Sequence, residues 1–319
     1  MGFIDLHCDS ILEVAEKGVS LRTKGGHLNL ERMKQAGYTL QTFAMFVHLE
    51  RYSNPYEQCM AMIKAYDKEL EQNRDLIAPV YRYEDILKNQ REGRMSALLS
   101  IEEGEVCQGK IEYLRLFYQK GARMMTLTWN FPNTLAWPNQ VRGSRFGVAE
   151  TKKGLTDRGI EFLSEMERLG MIVDVSHLGD AGFAQVMEHT GKPVIASHSN
   201  ARTVCPHVRN LTDDMIRAIA ERGGVIGLNF CGDFTDQSEQ NAFASIEKLV
   251  AMAGYLKNTG GAECVALGSD FDGIGPEVEL QGCQDMPLLR DGLKKGGFTS
   301  LEIEKICSGN AMRVFRECL

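Results

Sequence analysis

The chain has no run of 18 apolar residues, no basic cluster and no CxxC pair. The first absence excludes a membrane-spanning helix by sequence, since a span needs roughly 18–20 consecutive apolar residues. The second argues against a nucleic-acid partner. The opening MGFIDLHCDS has no cationic segment ahead of an apolar stretch, so no secretory leader is expected and a cytoplasmic location is. The nine Cys are odd in number and scattered, which fits reduced thiols better than disulfides. No shift of composition marks a linker, so one domain over 1–319 is expected. No GxGxxG follows the first apolar run, which removes the main signature of a dinucleotide-binding open sheet.

What is present is ordinary globular material: 43% hydrophobic and 25% charged residues, with a net charge of −7 over 319 residues. Short apolar runs recur at Phe3–His7, Thr39–Val47, Met95–Ile101, Arg123–Leu127, Met171–Val175, Pro193–Ala196, Gly224–Asn229 and Cys264–Gly268. Amphipathic stretches separate most of them. Pro55–Gln72 has helical spacing, Thr156 and Gly170 bracket another helix, Thr212 caps a third, and 240–258 reads as a fourth. Residues 130–153 are rich in Asn, Pro and Gly and lack a period, and a loop of that length is usually functional. Eight strands alternating with helices imply parallel pairing through right-handed crossovers, hence an α/β fold, a (β/α)8 TIM barrel.

In such a barrel, chemistry gathers at the C-terminal ends of the strands. There the sequence places His7 and Asp9, Glu102 and Glu103, Asp174 and His177, His198, and Asp270 and Asp272. His7 and Asp9 are two apart and share a face in an extended chain, while Cys8 turns to the opposite face and the core. Imidazole and carboxylate are ligands for a zinc-like cation. One such residue after a strand is most often a hydrogen-bonded loop residue or an acidic turn, but five strand ends all carrying them point to a metal site. His27, His48, His189 and His207 are not expected to be ligands, although His48 and His207 can line the mouth.

The stretches Asp5-Leu6-His7-Cys8-Asp9, Ser100-Ile101-Glu102-Glu103-Gly104, Asp174-Val175-Ser176-His177, Ser197-His198-Ser199, Arg209-Asn210 and Gly268-Ser269-Asp270-Phe271-Asp272-Gly273 resemble, in order and spacing, the membrane (renal) dipeptidase family. This is peptidase family M19 of the amidohydrolase superfamily, and the resemblance covers nearly the whole chain. It implies a zinc-dependent dipeptidase with two divalent metal ions. His7 and Asp9 would hold one ion, His177 and His198 the other, and Glu102 would bridge them. A metal-bridging hydroxide would attack the peptide carbonyl. Asp270 would take the proton of the attacking water and pass it to the leaving amine, and Arg209 would grip the substrate's terminal carboxylate. Zinc suits these N and O ligands, with Mn, Co or Fe compatible. The resemblance further implies a small dipeptide substrate and a homodimer, and it is to the soluble bacterial members.

Trp129 departs from the family, which commonly carries His there in contact with the substrate's carbonyl oxygen. Trp129 is therefore placed among the substrate-binding residues, with one donor and no ionisation. Phe234, near where some members carry Tyr, has no hydroxyl. Two other readings stand beside the dipeptidase. One is a related hydrolase of N-acyl amino acids, lactones or phosphoesters; the last would need extra cationic groups, which only Arg209 and Arg202 offer. The other is a metal-dependent binding protein with impaired catalysis.

Overall fold

The computed structural model describes residues 2–238 and 241–319. It has nine strands, all parallel: β1 Phe3–Asp5, β2 Tyr38–Phe46, β3 Ile77–Pro79, β4 Met95–Glu102, β5 Ala122–Thr126, β6 Ile172–Asp174, β7 Ile195–Ala196, β8 Val225–Leu228 and β9 Val265–Leu267. Eight of them form a closed ring. The sheet runs β2-β1-β9-β8-β7-β6-β5-β4, and β2 closes onto β4 in a register from Leu40↔Ser96 to Phe46↔Glu102. The fold is the expected (β/α)8 barrel.

The ninth strand is a correction. β3 pairs Ile77–Pro79 with Met95–Ala97, ahead of the stretch of β4 that pairs with β5. It extends the foot of the barrel without joining the ring. Pro79 has no N–H to donate, which suits only such a peripheral strand. A second correction concerns the helix expected over 240–258. It runs Ile246–Gly260, capped by the Ser245 side chain, and Gln240 lies outside the described residues. The other caps follow the sequence: Asn54 and Pro55 start the Pro55–Gln72 helix, Thr156 starts Asp157–Leu169, and Gly170 ends it in the left-handed conformation.

Each ring strand sends one apolar side chain into a single inner layer: Ile4, Leu40, Leu98, Met124, Ile172, Ile195, Val225 and Ala266. The final helix, Asn310–Cys318, packs Ala311, Val314 and Phe315 against that layer. The lower barrel is thus filled, as small barrels are. Along β4 and β6, alternation brings Ser100, Glu102 and Asp174 inward, and the turn just past β9 brings Asp270 to the same chamber. The apolar layer is therefore the floor of a polar chamber.

β1 breaks this rule. Ile4 and Leu6 belong to the inner layer, yet Cys8 lies in the outer core. The alternation slips by one between Leu6 and Cys8, just past the end of β1, and so His7 and Asp9 both reach the chamber. Among the described residues, no helix is long and apolar enough to cross a membrane.

Candidate metal centre

His7, Asp9, Glu102, His177, His198 and Asp270 come together at the C-terminal end of the barrel, each no more than 9% exposed. Glu102 sits at the middle. Its Oε2 is 3.2 Å from His7 Nε2, while its Oε1 is 3.1 Å from His177 Nε2 and 3.6 Å from His198 Nε2. One oxygen faces each group of ligand-type residues. On the first side, His7 Nε2 is also 3.7 Å from Asp9 Oδ2 and 4.0 Å from Asp270 Oδ1.

The two histidines on the other side are fixed from behind. His177 Nδ1 lies 2.9 Å from Asn130 Oδ1 and so donates to it. His198 Nδ1 lies 2.7 Å from Ser197 Oγ, and that hydroxyl donates to Asp174 Oδ2 at 2.5 Å. Both imidazoles therefore carry their proton on Nδ1 and present a lone pair at Nε2, the usual way a hydrogen bond behind a ligand sets its tautomer. Burial, reinforced by neighbouring Arg209 and His7, holds both well below the usual imidazole range and so neutral.

Several features fit a bound cation. The Nε2 atoms of His177 and His198 face each other at 2.9 Å, a repulsive contact between lone pairs unless positive charge lies near both. Among the described residues, His7 Nδ1 and Asp9 Oδ1 are buried without a hydrogen-bond partner. Three carboxylates, Asp9, Glu102 and Asp270, share one buried chamber. Burial, and then the neighbouring carboxylates, raise Asp270 to about 7. A buried cluster of this kind calls for compensating positive charge.

His177 and Asp270 adopt left-handed backbone angles, with φ of 66° and 62°. Such strain at non-glycine residues costs of order 1–3 kcal/mol each and collects at functional sites. Asp270 is steadied by Asn229, whose Nδ2 donates to Oδ2 at 3.0 Å, leaving Oδ1 toward His7. Gly273 permits this approach, because a Cβ there would stand 2.0 Å from Asp9 Oδ2 and 2.6 Å from Asp270 Oδ1.

The chamber opens into a cavity of about 390 Å3 whose wall includes Phe46, Trp129, His207, Arg209, Cys231 and Phe234. Arg209 is 5% exposed, its Nε lacks a partner, and Nη2 reaches only the His198 carbonyl at 3.3 Å. Among the described residues no carboxylate lies within ion-pair distance of it. Arg202 differs: both of its terminal nitrogens bind Asp180, at 2.7 and 2.8 Å, so it is not a cation of the site. Trp129 belongs to an aromatic wall, 4.9 Å from the Phe46 ring and 4.8 Å from His48. His207 lines the cavity, whereas His48 packs behind Trp129.

Residues 1–318 match the membrane dipeptidase family, peptidase family M19. The chain belongs to that family. It is thereby one of the metal-dependent dipeptidases. An uncharacterized protein in the pqqA 5' region of Klebsiella pneumoniae is 36% identical over 228 residues, covering 71% of this chain and 83% of that one. Dipeptidase 3 of Mus musculus is 30% identical over 225 residues, 70% of this chain and 45% of the mouse protein. The crystal structure of dipeptidase AC, an M19 metallopeptidase, superposes with a TM-score of 0.91 at 25% identity, covering 100% of this chain and 98% of that one.

Sequence reasoning set Asp174 at a strand end and placed Asp5 and Ser197 in family-like stretches, but it assigned no supporting role to any residue and did not single out Asn130 or Asn229. Asn130, Asn229, Ser197 and Asp174 hold the ligand-type side chains. Asp5 is the counterpart of Asp174: it accepts from Ser269 Oγ at 2.6 Å and Ser269 N at 2.8 Å, tying β1 to the end of β9. The available signal was a carboxylate inside an apolar strand at both positions, which burial tolerates only with partners.

Proposed function

We propose that the chain hydrolyses the peptide bond of dipeptides with two divalent cations, zinc foremost, held by His7, Asp9, Glu102, His177 and His198. The observation that carries this is the division of Glu102, one oxygen toward His7 and the other toward His177 and His198. A carboxylate so placed can serve two cations and offset their mutual repulsion. Bound there, the ions would supply the Lewis acidity that makes a water nucleophilic at neutral pH and polarises the scissile carbonyl.

The remaining steps belong to side chains. Asp270 receives the water's proton at Oδ1 and returns it to the leaving amine, while Asn229 holds Oδ2 still. Arg209, buried and without an acidic partner among the described residues, receives the substrate's carboxylate in a charge-assisted pair. Trp129 closes one wall with an apolar face and excludes water from the reacting end. With Arg202 committed to Asp180, the cavity offers one unpaired guanidinium among the described residues, which suits one carboxylate better than a phosphoester's spread charge.

The test is turnover of a dipeptide panel by the purified protein, with metal content measured before and after chelation. Two equivalents of metal, dipeptide cleavage, and loss of both on chelation are expected. Cleavage that survives complete metal removal, or two bound metals with activity only on esters or lactones, would overturn the proposal.

A further inference from the structure

His207 is a polar residue in the cavity wall with no role in the chemistry above. Its ring is fixed. The backbone N–H of Arg209 donates to His207 Nδ1 at 3.1 Å, so Nδ1 accepts and carries no proton. A neutral imidazole with an accepting Nδ1 has its proton on Nε2. Burial, followed by the charges of Arg209, Arg145 and Arg202, lowers the His207 pKa to about 4, which keeps the ring neutral at working pH. Nε2 makes no hydrogen bond to any described residue.

The placement is rigid. The His207 ring lies 4.6 Å from the Phe234 ring, and the Arg209 guanidinium lies 5.5 Å from that same ring. Phe234 thus backs both groups. The loop between them is held from three directions. Asn210 N donates to the His207 carbonyl at 2.9 Å, and Asn139 and Arg202 donate to the Val208 carbonyl at 2.9 and 3.1 Å. A donor kept in one tautomer on a braced loop is preorganised for a ligand.

The group beside it decides which ligand. Arg209 offers a planar cation suited to a carboxylate. A carboxylate has two oxygens and about four acceptor positions, more than one guanidinium edge fills. We propose that His207 is a second carboxylate-binding residue, whose Nε2–H hydrogen-bonds the C-terminal carboxylate of the dipeptide alongside Arg209. This rests on the dipeptidase reading and adds a donor to its substrate recognition.

The test uses two isosteres. In His207→Asn the amide oxygen can replace Nδ1 as acceptor for Arg209 N–H, but nothing replaces Nε2–H. In His207→Gln the amide nitrogen reaches toward the place of Nε2. With a free dipeptide, His207→Asn should raise KM about tenfold with little change in kcat, and His207→Gln should recover part of that loss. With an aminoacyl alkylamide, which has no carboxylate at that end, His207→Asn and the parent should be equal within about twofold. Equal losses on both substrates, or no loss on either, would overturn the proposal. Imidazole 15N shifts of the parent protein at pH 7 give a readout independent of turnover. Unprotonated Nδ1, protonated Nε2 and a shift of Nε2 on adding alanine are expected; a protonated Nδ1 or an unmoved Nε2 would reject it. If the parent cuts no dipeptide, the dipeptidase reading falls, and the alanine titration alone decides whether His207 binds a carboxylate.

Discussion

The two sides of the metal centre are built differently. His177 and His198 are each braced by a hydrogen bond at Nδ1, from Asn130 and from the Ser197–Asp174 pair. Among the described residues nothing braces His7 at Nδ1, and its Nε2 faces Glu102 at 3.2 Å, with Asp9 and Asp270 beside it. One side is therefore set by the protein's own hydrogen bonds. The other gathers three carboxylates around one imidazole without such bracing. Burial alone would keep His7 neutral, but Glu102 and Asp9 draw a proton onto it, well above the usual imidazole range. That proton and a metal compete for the same nitrogen, so the His7 side should lose its ion first as metal is withdrawn.

The largest effect should come where the sides meet. Glu102→Gln keeps the shape and removes the shared charge. Activity should fall by at least the upper end of the about 10²–10⁴-fold range typical of a lost proton-transfer group. Metal content should drop below one equivalent. Two equivalents retained in this variant would show that the sides do not depend on Glu102.

Asp270→Asn separates chemistry from binding. The amide cannot take a proton, so kcat should fall about 10²–10⁴-fold. Metal content should stay at two, because Asp270 is not among the five proposed ligands. Near-normal kcat with both metals bound would remove Asp270 from the proton path.

Gly273→Ala acts on the His7 side alone. The new methyl would press on the carboxylate tips of Asp9 and Asp270, which can swing away, so the fold should survive with little change in Tm. Displacing catalytic groups by about an ångström costs on the order of 10²-fold. Metal analysis should find one ion weakened and the other unchanged. A large fall in Tm would mean that the glycine serves the fold, not the site.

The same contrast explains what was legible in the sequence. The barrel could be read because the ring strands are apolar runs and several of the helices between them carry clear caps, such as Thr156 and Thr212. β3 was hidden, since three residues ending in Pro79 carry no period. The ligand-type residues could be read because His and acidic residues recur just past strand ends. Their braces could not, because Asn130, Ser197 and Asn229 are common loop residues whose partners lie far along the chain. His207 was placed at the mouth, but its tautomer depends on a backbone N–H that no spacing shows. His7 reached the chamber through a slip in alternation after Leu6, which a strict period of two does not contain.

The mildest expected change tests the braced side. Ser197→Ala removes the hydroxyl between His198 Nδ1 and Asp174. The backbone N–H of Ser197 still donates to Asp174 Oδ1 at 2.9 Å, and Thr126 Oγ1 still donates to Oδ2 at 2.8 Å, so the buried carboxylate keeps partners and the strand ends stay tied. His198 loses the acceptor that fixes its tautomer and can turn or move its proton to Nε2, where the lone pair is needed. Partners of this kind are worth roughly 10–100-fold in metal affinity. Competition with a chelator should therefore show the His177–His198 side weakened by that factor and the His7 side unchanged. Asn130→Ala should give the same one-sided pattern through His177. If either variant weakens both ions equally, the braces serve the centre as a whole. The asymmetry would then lie in the charges around His7 alone.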